Sequence, residues 1–167
     1  ELKKNMRTLI HETVQSLMKV FESEEYAKRR QEISDKHQQQ QIALSAIVDE
    51  KAAKESLIIK QTPWEIYTVA VQNGEPITDE AFEALPEEEK KKIANKQTGF
   101  GDEIASMLKE QRKLEKEAVA AFEKLESEVA SFAINALIDE IKTKYSTFPE
   151  VIAYLQSVRD DILSNLG

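Results

Sequence analysis

The sequence predicts a mainly α fold: a helical-bundle base with a long antiparallel coiled-coil arm, and a small β-hairpin near the arm tip. Three observations predict it. Four Gly and four Pro among 167 residues, about 5%, fall well below the roughly 12% of average proteins, so turns are few and elements long. Apolar residues recur at three- and four-residue steps over most of the chain. Only one stretch, between Leu57 and Gln72, carries a run of β-branched and aromatic residues.

Leu2, Met6, Leu9, Ile10, Leu17, Met18 and Phe21 mark an amphipathic helix over 2–21. Ser23 reads as the N-cap of a second helix that runs to Lys54. Its seven-residue series, Tyr26, Ile33, Gln40, Ile47 and Arg30, His37, Leu44, Lys51, has a coiled-coil period with a half-polar seam. Such a seam suits a thin arm rather than the centre of a core. Residues 57–61 and 65–72 read as a hairpin with its break at Thr62-Pro63-Trp64, and the second run stops at Asn73-Gly74. A lone two-stranded hairpin is marginal in water, so it must lean on helix. Thr78-Asp79-Glu80-Ala81 starts a short helix carrying Phe82, and Pro86 followed by three Glu opens the next.

A third long seam runs from Ile93 through Phe100, Leu114, Leu125, Phe132 and Ala136 to Tyr145. Gly99 and Gly101 each cost about 1 kcal/mol in a helix interior, which predicts a kink or break there. Thr147-Phe148-Pro149-Glu150 reads as a capping box before a last helix with Val151, Leu155, Val158 and Ile162 on one face. At 1.5 Å per residue, 23–54 spans about 48 Å and 86–145 about 90 Å. The two cannot match end to end. Residues 1–22 and 118–167 are therefore assigned to the base, and 23–117 to the arm with its hairpin at about 57–72.

Composition narrows the function. A net charge of −8 argues against a dedicated nucleic-acid binder. No apolar run approaches the roughly 18 residues of a membrane span. Zero Cys excludes disulfides, thiol catalysis and cysteine-bound zinc, and fits a reducing compartment such as the cytoplasm. The chain opens at Glu1 without Met or leader and reads as a segment of something longer.

Motifs that carry chemistry are few. His11-Glu12-Thr13-Val14-Gln15 starts like the zincin motif, but Gln15 stands where the second metal-binding His is needed. Thr8 and Ser34 precede His11 and His37 by three, so the Glu-x-x-His pairs of a di-iron bundle are missing. Gly99-Phe100-Gly101 lacks a third Gly and a preceding strand, and no nucleophile elbow occurs. Glu115, Glu117, Glu123, Glu126 and Glu128 interleave with lysines as helix-stabilising charges do. Lys28-Arg29-Arg30 and Lys90-Lys91-Lys92 complement nearby acids. No catalytic, cofactor-binding or metal residue is assigned. Trp64, Ile66, Tyr67 and Phe82 carry two readings: a mini-core that glues the hairpin to the arm, or an apolar surface for unfolded polypeptide.

The order of several words resembles a known family. Phe21-Glu22-Ser23-Glu24-Glu25-Tyr26 and Arg29-Arg30-Gln31-Glu32-Ile33 come first. Asn73-Gly74-Glu75-Pro76-Ile77-Thr78-Asp79-Glu80-Ala81-Phe82 follows, running on to Pro86-Glu87-Glu88. Glu128-Val129-Ala130, Ile138-Asp139-Glu140, Phe148-Pro149-Glu150-Val151 and Val158-Arg159-Asp160-Asp161-Ile162 close the series. Together, over nearly the whole chain, these are similar to the helical insert of Lon-related ATP-dependent proteases of the LonC-like group. The resemblance implies a non-catalytic domain joined to an AAA+ ATPase module and a Ser-Lys serine protease in the same chain. ATP would bind in the parent and no cofactor here. Its implied roles are substrate gating, contact with unfolded or partly folded polypeptide, and spacing of subunits in a homo-oligomeric ring. The expected partners exclude nucleic acid and membrane. Two rivals stand beside it: a free-standing coiled-coil chaperone or adaptor, and a metal-dependent enzyme in a helical bundle.

Overall fold

The structure, a computed structural model, describes residues 2–166. Eight elements follow one another: α1 (Leu2–Phe21), α2 (Glu24–Lys54), β1 (Leu57–Gln61), β2 (Ile66–Gln72), β3 (Glu75–Pro76), α3 (Asp79–Glu83), α4 (Glu87–Lys144) and α5 (Pro149–Ser164). The fold is mainly α with a small antiparallel sheet, as the sequence predicts. The chain forms two compact units, Glu1–Asp35 with Glu117–Gly167, and Lys36–Lys116. The helices α2 and α4 each contribute to both.

The first unit is a helical bundle of α1, the start of α2, the C-terminal half of α4, and α5. Leu9, Ile138 and Leu155 form its buried centre, with Met6, Leu137, Ile141 and Val151 packed around them. Polar links tie the helices at the margins. Asn5 donates to the Tyr145 hydroxyl at 3.0 Å, Ser16 to the Ala133 carbonyl at 3.2 Å, and Arg159 to Asn135 at 2.8 Å. The Ser23 hydroxyl accepts from the Tyr26 amide at 3.2 Å, the N-cap expected for α2. Tyr26 is buried with its ring edge-on to Phe21, centroids 5.1 Å apart. The bundle holds one internal mismatch: the buried Thr13 hydroxyl has no hydrogen-bond partner among the described residues.

Two expectations fail in this unit. The long seam of α4 does not keep a strict seven-residue step, and Phe132 is 82% exposed while Ala130, Ala133, Ile134 and Ile138 are buried. Leu125, one heptad before Phe132, is still 3% exposed, so the buried stripe changes within a single heptad, where Ala130, Ala133 and Ile134 take over the core face. The capping box of α5 also does not form. Its N-cap is Phe148, extended at φ −116° and ψ 90° with no side-chain cap bond. A cap at Thr147 would force Phe148 into helical dihedrals immediately before Pro149, which the proline ring disfavours.

The second unit pairs the rest of α2 with the N-terminal half of α4 and lays the sheet against them. The pair is antiparallel. Gln111 reaches Gln41 at 3.4 Å, Lys51 reaches Glu103 at 2.7 Å, and Lys96 donates to the Glu55 carbonyl at 3.2 Å. The half-polar seam is visible in this pairing. His37 Nε2 lies 3.1 Å from the Gln41 amide nitrogen, while its buried Nδ1 finds no partner among the described residues. Apolar packing concentrates where the sheet arrives. Val48, Ala52, Leu57, Ala70 and Phe100 are buried together, backed by Ile59, Ile77, Ile93, Ile104 and Met107.

The glycines do not break the helix: α4 is continuous from Glu87 to Lys144. Phe100 between them is 5% exposed in the apolar cluster, and that anchorage offsets the propensity cost of its two neighbours.

The sheet order is β1-β2-β3, with Leu57 opposite Ala70 and Gln61 opposite Ile66. The strand β3, absent from the sequence reading, pairs Val71 with Pro76 and Gln72 with Glu75. Its hairpin closes on Asn73 and Gly74, both at positive φ (53° and 84°). Positive φ at both loop residues is what a tight two-residue hairpin requires.

Candidate functional site

Residues alternate between the two faces of a strand. On β1 and β2 one face carries Leu57, Ile59, Ile66, Thr68 and Ala70. It turns toward the helix pair, since Leu57, Ala70 and Ile59 belong to the apolar cluster. The other face carries Ile58, Lys60, Tyr67, Val69 and Val71. Ile58, Val69 and Val71 are only half-buried there, and Tyr67 is 41% exposed.

The turn between β1 and β2 is held by one side chain. The Thr62 hydroxyl accepts from the amides of Trp64 at 3.3 Å and Glu65 at 3.1 Å, and the Thr62 amide donates to the Glu65 carbonyl at 2.9 Å. Pro63 fixes a further dihedral of the same loop. Trp64 stands on this fastened loop at 92% exposure, the most exposed large apolar side chain among the described residues. An indole in water at the end of a constrained turn is unusual, because its burial is worth more than that of most side chains.

The four residues singled out in the sequence occupy different surroundings. Trp64 and Tyr67 face solvent. Ile66 is half-buried on the face that meets the helices. Phe82 is half-buried in α3, with the Lys90 ammonium 5.9 Å from its ring centroid. Lys90 also bonds Glu83 at 2.9 Å and lies 3.6 Å from Glu87. The hydrogen bond that the ammonium donates to Glu83, with the negative charges of Glu83 and Glu87, pushes the lysine above its ordinary value, against an opposing effect of burial. Phe82 thus serves the attachment of α3 to α4.

The half-exposed apolar residues Ile58, Val69 and Val71 escaped sequence reasoning. Their signal was present: the run from Ile66 to Val71 is apolar at both parities, which marks a strand covered on both faces. In the structure one face is covered and the other is half open.

Among the described residues no group of three or more His, Cys, Asp or Glu is placed to hold a metal ion. His11, Glu12 and Gln15 are all exposed on α1. No helix is long and apolar enough to cross a membrane. No family model matches the chain, and neither a curated protein nor a solved structure does.

Proposed function

We propose that the chain is a non-catalytic module that contacts unfolded or partly folded polypeptide, and that it works as the helical insert of a Lon-related ATP-dependent protease in the cytoplasm. The observation that carries the contact is Trp64, 92% exposed on a turn fastened by Thr62. Tyr67 and the half-buried Ile58, Val69 and Val71 offer further apolar surface on the open sheet face, interrupted by Lys60. That is the chemistry a non-native chain, rich in exposed apolar side chains, would meet.

Trp64 is the single Trp, so its fluorescence reports on the site directly. Adding a reduced, carboxymethylated polypeptide that cannot fold should blue-shift its emission. Tyr67→Ala should weaken that binding by roughly fivefold to tenfold, the scale of an exposed aromatic contact. An emission maximum that stays at its solvent-exposed position at saturating polypeptide would refute the contact.

The protease context rests on the ordered words from Phe21 to Ile162. There, ATP would bind the parent's AAA+ module and peptide cleavage would belong to its protease module. The coding sequence on either side tests this, with a phosphate loop upstream and a Ser-Lys region downstream expected. Flanks lacking both would leave a free-standing chaperone or adaptor that uses the same surface.

A further inference from the structure

The helix α1 carries two seven-residue seams, one residue apart. Leu2, Met6, Leu9, Thr13, Ser16 and Val20 form the first, at alternating steps of four and three. It is the seam that faces the bundle: Leu9 and Thr13 are buried, Met6 packs on the centre, and Ser16 bonds Ala133. Lys3, Arg7, Ile10, Val14, Leu17 and Phe21 form the second, at the same steps. Among the described residues its middle is only partly covered. Ile10 is 59% exposed, Val14 51%, and Met18 beside them 58%. A solvated helix face ordinarily carries polar residues, so a second apolar seam with coiled-coil spacing calls for a second helix.

Charge says which helix fits. The seam begins with the exposed cations Lys3 and Arg7. At its far end Val14, Leu17, Met18 and Phe21 share a groove of about 640 Å³ with Ile162, and the exposed acids Glu22 and Asp161 line it. The face is therefore basic at one end, apolar in the middle and acidic at the other. Such a strip complements an antiparallel copy of itself.

We infer that this face of α1 is an isologous dimer interface, in which two copies pair antiparallel about Val14. In that register Ile10 of each copy meets Met18 of the other, and Arg7 approaches the partner copy's acidic end. A parallel pairing would set Lys3 and Arg7 against their own copies, a like-charge arrangement that selects against it. A helix of 20 residues offers a contact about 30 Å long, at the small end of specific interfaces.

The inference is independent of the polypeptide-contact reading, since α1 and Trp64 belong to different units. Sedimentation of the 167-residue chain over a concentration series from micromolar to several hundred micromolar tests it. The mass should rise from 19.0 kDa toward twice that value. Val14→Glu, at an exposed helix position that tolerates the change, should weaken association at least about tenfold with an unchanged far-UV spectrum. Arg7→Glu and Glu22→Lys should each weaken it, and the double reversal should restore it. A monomer throughout the series overturns the proposal, as does a dimer indifferent to Val14→Glu. Failure of the double reversal to rescue overturns the antiparallel register. A monomer that binds anionic phospholipid vesicles through the same residues would assign the face to a lipid surface instead.

Discussion

Gln97, on α4, donates its side-chain amide to the backbone carbonyl of Thr68 on β2, 2.7 Å away. Two residues on, the Ala70 carbonyl accepts from the Ile77 amide at 2.9 Å. The short strand β3 reaches only Val71 and Gln72, so Gln97 supplies at Thr68 the partner that a longer β3 would have supplied. A helix side chain thereby completes a sheet edge.

Thr68 is buried, and its carbonyl loses that partner when the amide is removed. Gln97→Ala should therefore destabilise the second unit by about 1–3 kcal/mol, the cost of an unpaired buried polar group. Urea unfolding measures the loss, and hydrogen exchange should speed up across β2. Gln97→Met, which keeps the length of the side chain but not the donor, should be no milder than a few tenths of a kcal/mol relative to Ala.

The regular helix through Gly99 and Gly101 sets a second expectation. A Cβ built at either position meets nothing within 4 Å. Each Gly→Ala change should stabilise by about 0.5–1 kcal/mol, through helix propensity and a smaller loss of backbone entropy on folding. The double variant should raise Tm by the sum of the two. A fall in Tm would mean that the chain needs flexibility at this point.

Lys90 clasps α3, through the Phe82 ring and the Glu83 carboxylate, and its pKa is raised above the ordinary 10.5. A raised value means that the folded state holds the proton more tightly than the unfolded one. Its stabilisation is then fully present below pH 10.5 and fades as pH climbs through the higher folded value. The stability difference between wild type and Lys90→Met should be constant from neutral pH to about pH 10 and shrink above it. Since Glu83 and Glu87 are exposed, added salt should also reduce the difference.

Much of the backbone plan is legible in residue order. The helix over 2–21, the Ser23 cap and the β1 limits 57–61 follow from periodicity, a short polar acceptor and β-branched runs, which act over a few residues. The third strand was not read, although Asn73-Gly74 carries its signal, because two consecutive positive φ values suit that pair. The exposed aromatic of the candidate site was legible only as an alternative. Whether Trp64 is sealed in a local core or left in water depends on what arrives beside the turn, and sequence spacing does not say.

Three outcomes were decided by tertiary packing alone. The continuity of α4 past two glycines comes from the burial of Phe100 between them. The exposure of Phe132 comes from a change of the buried stripe within one heptad, since Leu125 is buried while Ala130, Ala133 and Ile134 take over the core face beyond it. The third concerns α1, whose sequence reads as one broad stripe containing both Leu9 and Ile10. Periodicity alone defines the helix and its two candidate seams. Only the bundle chose Leu9 to bury and left Ile10 in solvent, because a helix can dock on one neighbour along just one of two adjacent faces.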